Sequence, residues 1–397
     1  MSERAGQGGV GEVFGAFLKL GLTSFGGPIA HLGYFRDELV TRRRWISEAG
    51  YADLVALCQF LPGPASSQVG FALGTMRAGP LGGLAAWAGF TLPSALLLMA
   101  FALGAAALDG PLAQGVLHGL KLVAVAVVAQ AVFGMAQSLT PDRVRAVIAV
   151  VAVFMVVLVG GAWGQLGAIG LGAVAGLVLC RNGAAVASGE AFPGSRRVGL
   201  GLLLVFALLL IGLPLVAEWS PVLALADAFY RAGSLVFGGG HVVLPLLEAG
   251  VVGRGWVGPD AFLAGYGAAQ AVPGPLFTFA AYLGAVGTPM GGGLIAGLVA
   301  LVAIFVPGLL LVAGALPFWN GLRAWPAAQA GLRGANAAVV GLLAAALYDP
   351  VFLTAVLSPL DFALALAGFV ALVAWKAPPW SVVLALAVAG GFLGVAW

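Results

Sequence analysis

The chain has 397 residues, of which 61% are hydrophobic and 8% are charged, and its mean hydropathy is +1.07. Soluble domains carry roughly 25% charged residues, so this composition excludes a soluble protein and indicates an integral membrane protein. Apolar runs rich in small residues, rather than short alternating segments, predict an all-α polytopic fold and exclude a barrel. The net charge of +3 comes mostly from arginines in loops, so no nucleic-acid partner is expected.

The first part of the chain contains apolar stretches that are too short to cross a membrane. A Gly26-Gly27-Pro28 break separates residues 10–24 from 29–35, and a Pro62-Gly63-Pro64 break separates 47–61 from 65–76. A crossing helix needs about 20 residues, and proline with glycine ends one helix and starts the next. We therefore predict two re-entrant hairpins, each made of two half-helices.

The next stretches are long enough to cross. Between the two hairpins, Arg42-Arg43-Arg44-Trp45 is the densest positive cluster, which the positive-inside rule assigns to the cytoplasm. The predicted spans that follow are 81–108, 112–139, 144–159, 166–180 and, after a polar linker at 183–197, 198–216.

After Glu218 the pattern starts again. Five landmarks recur at offsets of 211 to 214 residues: Phe25 with Phe237, Trp45 with Trp256, Gln59 with Gln270, Pro93 with Pro307, and Lys121 with Arg333. The last two predicted spans, 351–375 and 379–397, match 144–159 and 166–180. A nearly fixed offset predicts an internal duplication, with a first repeat at 10–182, a linker and connecting helix at 183–217 and a second repeat at 218–397.

The loop charges predict that the two repeats are inverted. The counterpart of the arginine-rich loop is 248–260, where Arg254 is the sole positive residue, whereas the counterpart of the uncharged turn 160–164 contains Lys376. Positive loops belong in the cytoplasm, so equivalent loops of the two repeats lie on opposite sides. We expect about nine full spans and four hairpins, with thirteen crossings as the alternative.

Inverted repeats with interrupted helices are typical of transporters, because irregular backbone at membrane depth must face protein or a water-filled cavity. A helix that begins there points free N–H groups and the positive end of its dipole into the cavity, which favours an anion. The alternative is that the breaks are packing kinks. The candidate binding residues at the breaks are Gly26, Gly27, Gly63, Pro64, Ser66, Ser67, Gly238, Gly239, Gly240, His241, Gly274, Pro275 and Thr278.

Lys121 and Arg333 are cations inside otherwise apolar spans, at matched positions of the repeats. A charge there costs about 2.5 to 3.5 kcal/mol on insertion scales, so each needs a cavity or a partner. We expect them to be countercharges for the substrate, with Asn336 on the same helical face as Arg333. The alternative is that they extend to an interface or bond to backbone carbonyls.

Gln59 and Gln270 each precede a Pro-Gly-Pro break by three residues. A buried amide needs a hydrogen-bond partner, so these side chains either line the site or fasten the hairpin to a neighbouring helix. The histidines His31, His118 and His241 are compatible with proton relay, but a structural hydrogen bond is the favoured interpretation.

No residue pattern supports enzyme chemistry. The chain has no Gly-rich phosphate loop ending in Lys-Ser/Thr and no His/Glu metal pattern, and Cys58 and Cys180 match no disulfide or zinc spacing. We therefore expect neither a catalytic residue nor a metal or other cofactor. Transport, if it occurs, is expected to be secondary or channel-like.

The chain resembles the chromate ion transporter family in several of the motifs described above. These are Phe25-Gly26-Gly27-Pro28, the loop ending at Trp45, and both Pro-Gly-Pro segments. The resemblance covers residues 10–397 and is to the long, two-domain members. It implies a protein of the bacterial inner membrane that expels chromate using the proton motive force and discriminates imperfectly against sulfate. The second glycine motif has Gly240 in place of Pro28, so equal roles are not assumed.

From the residues alone, the breaks support a polyatomic anion, not chromate in particular. A carrier or channel for sulfate or another anion therefore stays open. A cation- or proton-coupled carrier of another solute is disfavoured, because Asp and Glu are nearly absent from the spans. Membrane lipid is an expected partner, and a homodimer is left open.

Overall fold

The computed structural model describes residues 8–105, 110–181, 192, 194–237, 239–323 and 325–396, and every regular element in these ranges is helical. The first half contains α1 (Val10–Thr23), α2 (Pro28–Phe35), α3 (Glu48–Phe60), α4 (Ala65–Ala105), α5 (Pro111–Leu139), α6 (Arg143–Val159), α7 (Gly161–Leu179) and α8 (Arg196–Val216). The second half contains α9 (Pro221–Ser234), α10 (Val243–Leu247), α11 (Pro259–Ala269), α12 (Phe279–Val286), α13 (Gly293–Ala315), α14 (Trp319–Arg323), α15 (Pro326–Ala346), α16 (Leu353–Ala355), α17 (Pro359–Val373) and α18 (Pro379–Ala396).

Helix ends coincide with the glycine and proline breaks of the sequence. α1 stops before Gly26, α3 stops before Pro62, and α11 stops before the second Pro-Gly-Pro. Gly63 and Gly274 have φ angles of +119° and +102°, a region that side chains other than glycine rarely adopt. The chain therefore needs glycine at both of these turns.

The long helix α4 consists of two packed segments. Ala78 and Gly79 have non-helical backbone angles, where the sequence predicts a segment ending at Arg77. A Cβ added to Gly74 would lie 2.4 Å from the carbonyl oxygen of Gly82, so the segments run side by side in contact. The break thus separates a short first segment from a long helix that contains Pro93.

The order of helices in the second half follows that of the first. A difference from the sequence prediction occurs at the expected span 351–375, where α17 begins later, at Pro359. The Ser358 hydroxyl accepts a hydrogen bond from the Asp361 amide and caps this helix, while the chain after α15 is interrupted at Asp349, whose backbone angles are not helical. The polar linker predicted at 183–197 lies mostly outside the described residues.

The two halves exchange their last helices. α18 packs against α5, and α7 packs against α15. Small residues permit these crossings: a Cβ on Gly115 would lie 2.3 Å from the Gly390 carbonyl oxygen, and one on Gly334 would lie 2.0 Å from that of Gly172. Each half therefore covers the central helix of the other, and the core runs continuously between them.

Ion clusters fasten the first hairpin of each half. The Glu38 carboxylate, which is buried, accepts hydrogen bonds from Lys19, Arg42 and Arg43 at 2.7, 3.1 and 2.8 Å. The Phe17 and Phe35 rings also meet edge to face, with centroids 5.4 Å apart. In the second half, buried Asp227 holds Arg231 and Arg254. A single buried carboxylate thus binds several cations near each hairpin and offsets part of their charge.

Five helices in the described part of the chain are long and apolar enough to cross a membrane. They are Pro111–Leu139, Arg196–Trp219, Gly293–Phe318, Pro326–Ala355 and Ala65–Gly104, the last of which is interrupted at Ala78 and Gly79. The most apolar stretch of Arg196–Trp219 is not buried against the rest of the protein, which fits a lipid-facing helix. The protein is a multi-pass membrane protein.

Candidate functional site

The four helix breaks meet in pairs, and each pair combines one break from each half. The Gly63 amide donates a hydrogen bond to the Val236 carbonyl at 2.8 Å, and the Gly274 amide donates one to the Ser24 carbonyl at 2.9 Å. Each Pro-Gly-Pro turn is therefore bonded to the residue that precedes the Phe-Gly-Gly motif of the other half. Backbone bonds of this kind fix the distance between the two halves at the breaks.

A small, partly open cavity lies between these breaks. Its wall includes the first residues of α2 and α4 and of the 3-10 turns that lead into α10 and α12. The lining residues are Gly26, Gly27, Pro28, His31, Pro64, Ser66, Gly240, His241, Ala269, Gln270, Val272, Gly274, Pro275, Leu276 and Phe277. Both halves contribute to the wall.

Two histidines lie in the cavity wall, and each is near a hydroxyl of its own half. The Nδ1 atom of buried His31 lies 3.4 Å from Ser66 Oγ, and the Nδ1 atom of His241 lies 2.7 Å from the Tyr266 hydroxyl. His31 Nε2 forms no hydrogen bond with the described residues, although the backbone of Ser24 and Gly26 lies nearby. A donor or acceptor nitrogen of His31 is therefore available.

The electrostatics of the cavity favour an anion without a fixed charged side chain. Its described lining contains no Asp, Glu, Lys or Arg. Helix N-termini carry partial positive charge and N–H groups without intrahelical partners, so several termini around one space attract a negative group. The Ser66 hydroxyl and the Gln270 amide add polar atoms, and Gln270 Nε2 also donates to the Tyr266 carbonyl at 3.4 Å.

Lys121 lies outside this lining and forms an ion pair. Its Nζ atom is 2.7 Å from Asp260 Oδ1, which joins α5 of the first half to the first turn of α11. One helical turn earlier, His118 Nε2 lies 2.8 Å from Asp361 Oδ1 on α17. Both pairs connect the two halves, and the prediction that Lys121 binds the substrate stays a prediction.

Arg333 also lies outside the described lining. Its Nε and Nη2 atoms donate hydrogen bonds to the Cys180 carbonyl at 3.0 and 2.6 Å, immediately after α7. A cation at a helix C-terminus is favourable because the carbonyl end carries partial negative charge. The neighbouring Asn336 has a buried Oδ1 atom without a partner in the described structure.

The other predicted residues surround the cavity or lie apart from it. Gln59 is exposed, buried Ser67 has no partner for its hydroxyl in the described structure, and the Thr278 hydroxyl donates to the Pro275 carbonyl at 2.8 Å. Gly63 and Gly239 flank the cavity in the chain, but neither is part of the described lining. Gly238 lies outside the described residues.

His31 is a polar residue of the cavity lining that the sequence does not predict as a binding residue at the breaks. It sits one helical turn after the Gly26-Gly27-Pro28 break, on the short helix α2. Residues in the first turn after a helix start lie beside the helix terminus, so this position was a usable signal. The repeat pattern hid it, because His241 follows its own break by fewer residues and gives no matched pair.

Comparison with known proteins gives the family. The chromate transporter family model matches residues 11–177 and again residues 223–392. The chain belongs to the chromate transporter family. The two matched segments correspond to the two halves of the fold and support a duplication, and the chromate transporter family is a family of transporters, not of enzymes.

Relatives of this chromate transporter family member extend over most of its length. A chromate transport protein of Pseudomonas aeruginosa is 32% identical over 383 residues, 92% of this chain and 87% of the relative. A chromate transport protein of Cupriavidus metallidurans is 28% identical over 339 residues, covering 83% of this chain and 80% of the relative. No solved structure matches the chain significantly.

Proposed function

We propose that this protein is a secondary transporter that carries chromate, a tetrahedral oxyanion, out of the cytoplasm across the bacterial inner membrane. The observation that carries the proposal is the cavity at which helix starts from both halves meet around His31 and His241. Helix N-termini, imidazole N–H groups and a hydroxyl are donors that suit the oxygens of such an anion. The family name of the relatives supplies chromate as the substrate.

The proposed binding site consists of the cavity lining, with His31, Ser66, His241 and Gln270 as side-chain donors. Among the backbone groups of the lining, the N–H groups of Gly26, Gly27 and Gly240 are further candidate donors, whereas Pro275 has no N–H and the Gly274 N–H bonds to the Ser24 carbonyl. Oxyanions accept many hydrogen bonds at once, and a local dielectric constant below that of water strengthens each of them. Sulfate has the same shape and charge and is expected to compete.

The proposed orientation places the Arg42–Arg44 loop in the cytoplasm. The positive-inside rule also assigns to the cytoplasm the loops at the ends of α5 to α8. These loops contain Arg143, Arg145, Arg181, Arg196 and Arg197. With the breaks at membrane depth, both hairpins of the first half open to the cytoplasm and those of the second half to the opposite side. The cavity then lies midway between the two aqueous phases.

Uptake into everted membrane vesicles tests this proposal directly. Everted vesicles expose the cytoplasmic side, so an exporter accumulates labelled chromate inside them when the membrane is energised. We expect His31→Ala and His241→Ala to lower the uptake rate at limiting chromate by about tenfold or more, since each removes a buried donor to a charged group.

Ser138→Ala is the matched control for these variants. The Ser138 hydroxyl bonds only to carbonyls of its own helix in the described structure, and the residue is exposed at the end of α5. Uptake should remain at the wild-type rate in this variant. Energised vesicles that accumulate neither chromate nor sulfate would contradict the proposed function, and normal uptake by both histidine variants would contradict the proposed site.

A further inference from the structure

Each half contains one cation and one carboxylate at similar positions. In the structure, the cation of the first half forms an ion pair with the carboxylate of the second half. Lys121 and Arg333 are separated by 212 positions in the sequence, and so are Glu48 and Asp260. The flanking pairs Trp45/Trp256 and Gln59/Gln270 are 211 apart, so Glu48 and Asp260 lie within one residue of equivalent positions. Glu48 and Asp260 both lie in the first turn of the helix that leads to a Pro-Gly-Pro break. Lys121 and Asp260 form an ion pair at 2.7 Å, across the boundary between the halves.

The equivalent partners, Arg333 and Glu48, are engaged elsewhere. Arg333 donates to the Cys180 carbonyl, while Glu48 Oε1 accepts a hydrogen bond from Arg36 Nε at 2.6 Å. More than half of both the Arg36 and the Glu48 side chain is exposed, and exposed ion pairs contribute little to stability. The Arg36–Glu48 pair can therefore exchange at little cost, and the same holds for the carboxylate of the Lys121–Asp260 pair, where the Asp260 side chain is 76% exposed.

The packing of the two helices shows the same asymmetry. Residues 262–267 of α11 are all buried, and a Cβ on Gly267 would lie 2.0 Å from the Leu120 carbonyl oxygen of α5. The corresponding residues 51–56 of α3 are more open, since Tyr51 and Leu54 are buried but Ala52 is exposed. In the described structure α3 has no contact with α15 comparable to that between α11 and α5. The second half is closed at this point, and the first half is open.

We propose that Lys121–Asp260 and Arg333–Glu48 are alternating latches of the transport cycle. In the conformation opposite to the one described, α3 packs against α15, Glu48 leaves Arg36, and Arg333 exchanges the Cys180 carbonyl for the Glu48 carboxylate. At the same time α11 leaves α5, and the Lys121–Asp260 pair opens. Each half thereby adopts the arrangement that the other half has in the described structure.

This inference rests on the proposed carrier function, because a carrier must expose its cavity to each side in turn. It also explains why cations stand at matched positions outside the cavity. A latch that joins a hairpin to the other half closes one entrance, and its equivalent closes the other. Both cations, Lys121 and Arg333, are needed for the cycle, although each conformation forms only one of the two ion pairs.

Paired cysteines test the latches without any substrate. In a background with Cys58→Ala and Cys180→Ala, we would introduce Glu48→Cys with Arg333→Cys, or Lys121→Cys with Asp260→Cys, and add a short, cleavable, bifunctional thiol reagent. Both pairs should crosslink in membranes. The control pair, Glu48→Cys with Lys121→Cys, combines one residue from each latch and should not crosslink. Crosslinking at Lys121–Asp260 without any at Glu48–Arg333 would overturn the inference, and so would crosslinking of the control pair.

Charge exchange gives a second readout. Glu48→Arg and Arg333→Glu should each lower chromate uptake by about tenfold, and the double variant should recover most of the loss if the residues meet. A double variant no more active than the weaker single variant would overturn the direct contact. Protein that crosslinks at both latches but moves no oxyanion would keep this inference and contradict the proposed function instead.

Discussion

The backbone amide of Gly274 donates a hydrogen bond to the carbonyl oxygen of Ser24, with 2.9 Å between the two atoms. Gly274 belongs to the Pro-Gly-Pro turn of the second half, and Ser24 follows α1 of the first half. The bond is the equivalent of the one from Gly63 to Val236, so the two halves hold each other by the same contact in both directions. The cavity wall depends on this arrangement.

Gly274→Ala should destabilise the protein. The φ angle of +102° disfavours a side chain by about 1 to 2 kcal/mol, and the new Cβ would also lie 2.8 Å from Ser94 Oγ and 3.1 Å from the Phe90 carbonyl oxygen. We expect a lower unfolding temperature in detergent, measured by the loss of the monodisperse peak after heating. Gly201→Ala, on α8 with open space around it, is the control. Equal unfolding temperatures for both variants would contradict the required turn.

Gly334→Ala should disrupt the crossing between α7 and α15. The added Cβ would lie 2.0 Å from the Gly172 carbonyl oxygen, and overpacking of this kind costs about 1 to 3 kcal/mol or more. Gly331→Ala, one turn earlier on the same helix, places its Cβ 3.4 Å from the nearest atom and is expected to be tolerated. Expression level and unfolding temperature measure both. Tolerance of both alanines would show that the helices can separate at no cost.

The His118–Asp361 pair should contribute a measurable coupling between the halves. His118→Ala leaves a carboxylate that is 6% exposed without one of its partners, and an unsatisfied buried acceptor costs about 1 to 3 kcal/mol. In an Asp361→Ala background, the same histidine substitution should cost much less. A double-mutant cycle on unfolding temperature gives the coupling. Additive effects would mean that the contact contributes no net stability.

Glu38 should make stability depend on pH in the acid range. Burial raises the pKa of this carboxyl, but hydrogen bonds from Lys19, Arg43 and Arg42 outweigh the burial and lower the pKa from 4.5 to about 2. A folded-state pKa below the unfolded value means that the ionised group stabilises the fold above pH 4.5, and that this contribution is lost as the pH falls towards 2.

The test of this dependence compares wild type with Glu38→Gln. The difference in their unfolding temperatures should be largest above pH 4.5 and should narrow as the pH is lowered below that value. Glu218→Gln, at an exposed carboxylate after α8, should differ little from wild type throughout. If the difference in unfolding temperature between wild type and Glu38→Gln stays constant as the pH is lowered, the role of the ionised carboxylate is contradicted.

The all-helical fold and the helix ends at the Pro-Gly-Pro turns are open to prediction from the sequence, because local chemistry favours them; the re-entrant hairpins stay a prediction. Proline removes an amide donor and glycine adopts φ angles that other residues avoid, so Pro62-Gly63-Pro64 ends a helix whatever surrounds it. The repeat can also be predicted without a structure, since it is found by comparing residues such as Gln59 and Gln270 at a fixed offset in the sequence. The start of α17 was missed because Pro359 and the Ser358 cap follow an apolar run without any loss of hydropathy.

The partners of the buried charges could not be predicted in this way. An apolar span around Lys121 or Arg333 indicates that a partner exists, but a carboxylate and a helix carbonyl satisfy the requirement equally well. Which one is present depends on how α11 and α7 approach these residues in space. The cavity could not be predicted for the same reason. Its wall combines residues from four breaks, and no spacing in the sequence indicates which breaks meet.

The exchange of helices between the halves has a consequence for biosynthesis. The ribosome makes α5 with His118 and Lys121 long before their partners exist, since Asp260 follows Lys121 by 139 residues and Asp361 follows His118 by 243. Until then the nascent first half carries unpaired polar groups in the bilayer and small-residue grooves with nothing to fill them. The contacts that satisfy these groups form only when the ribosome has completed the second half.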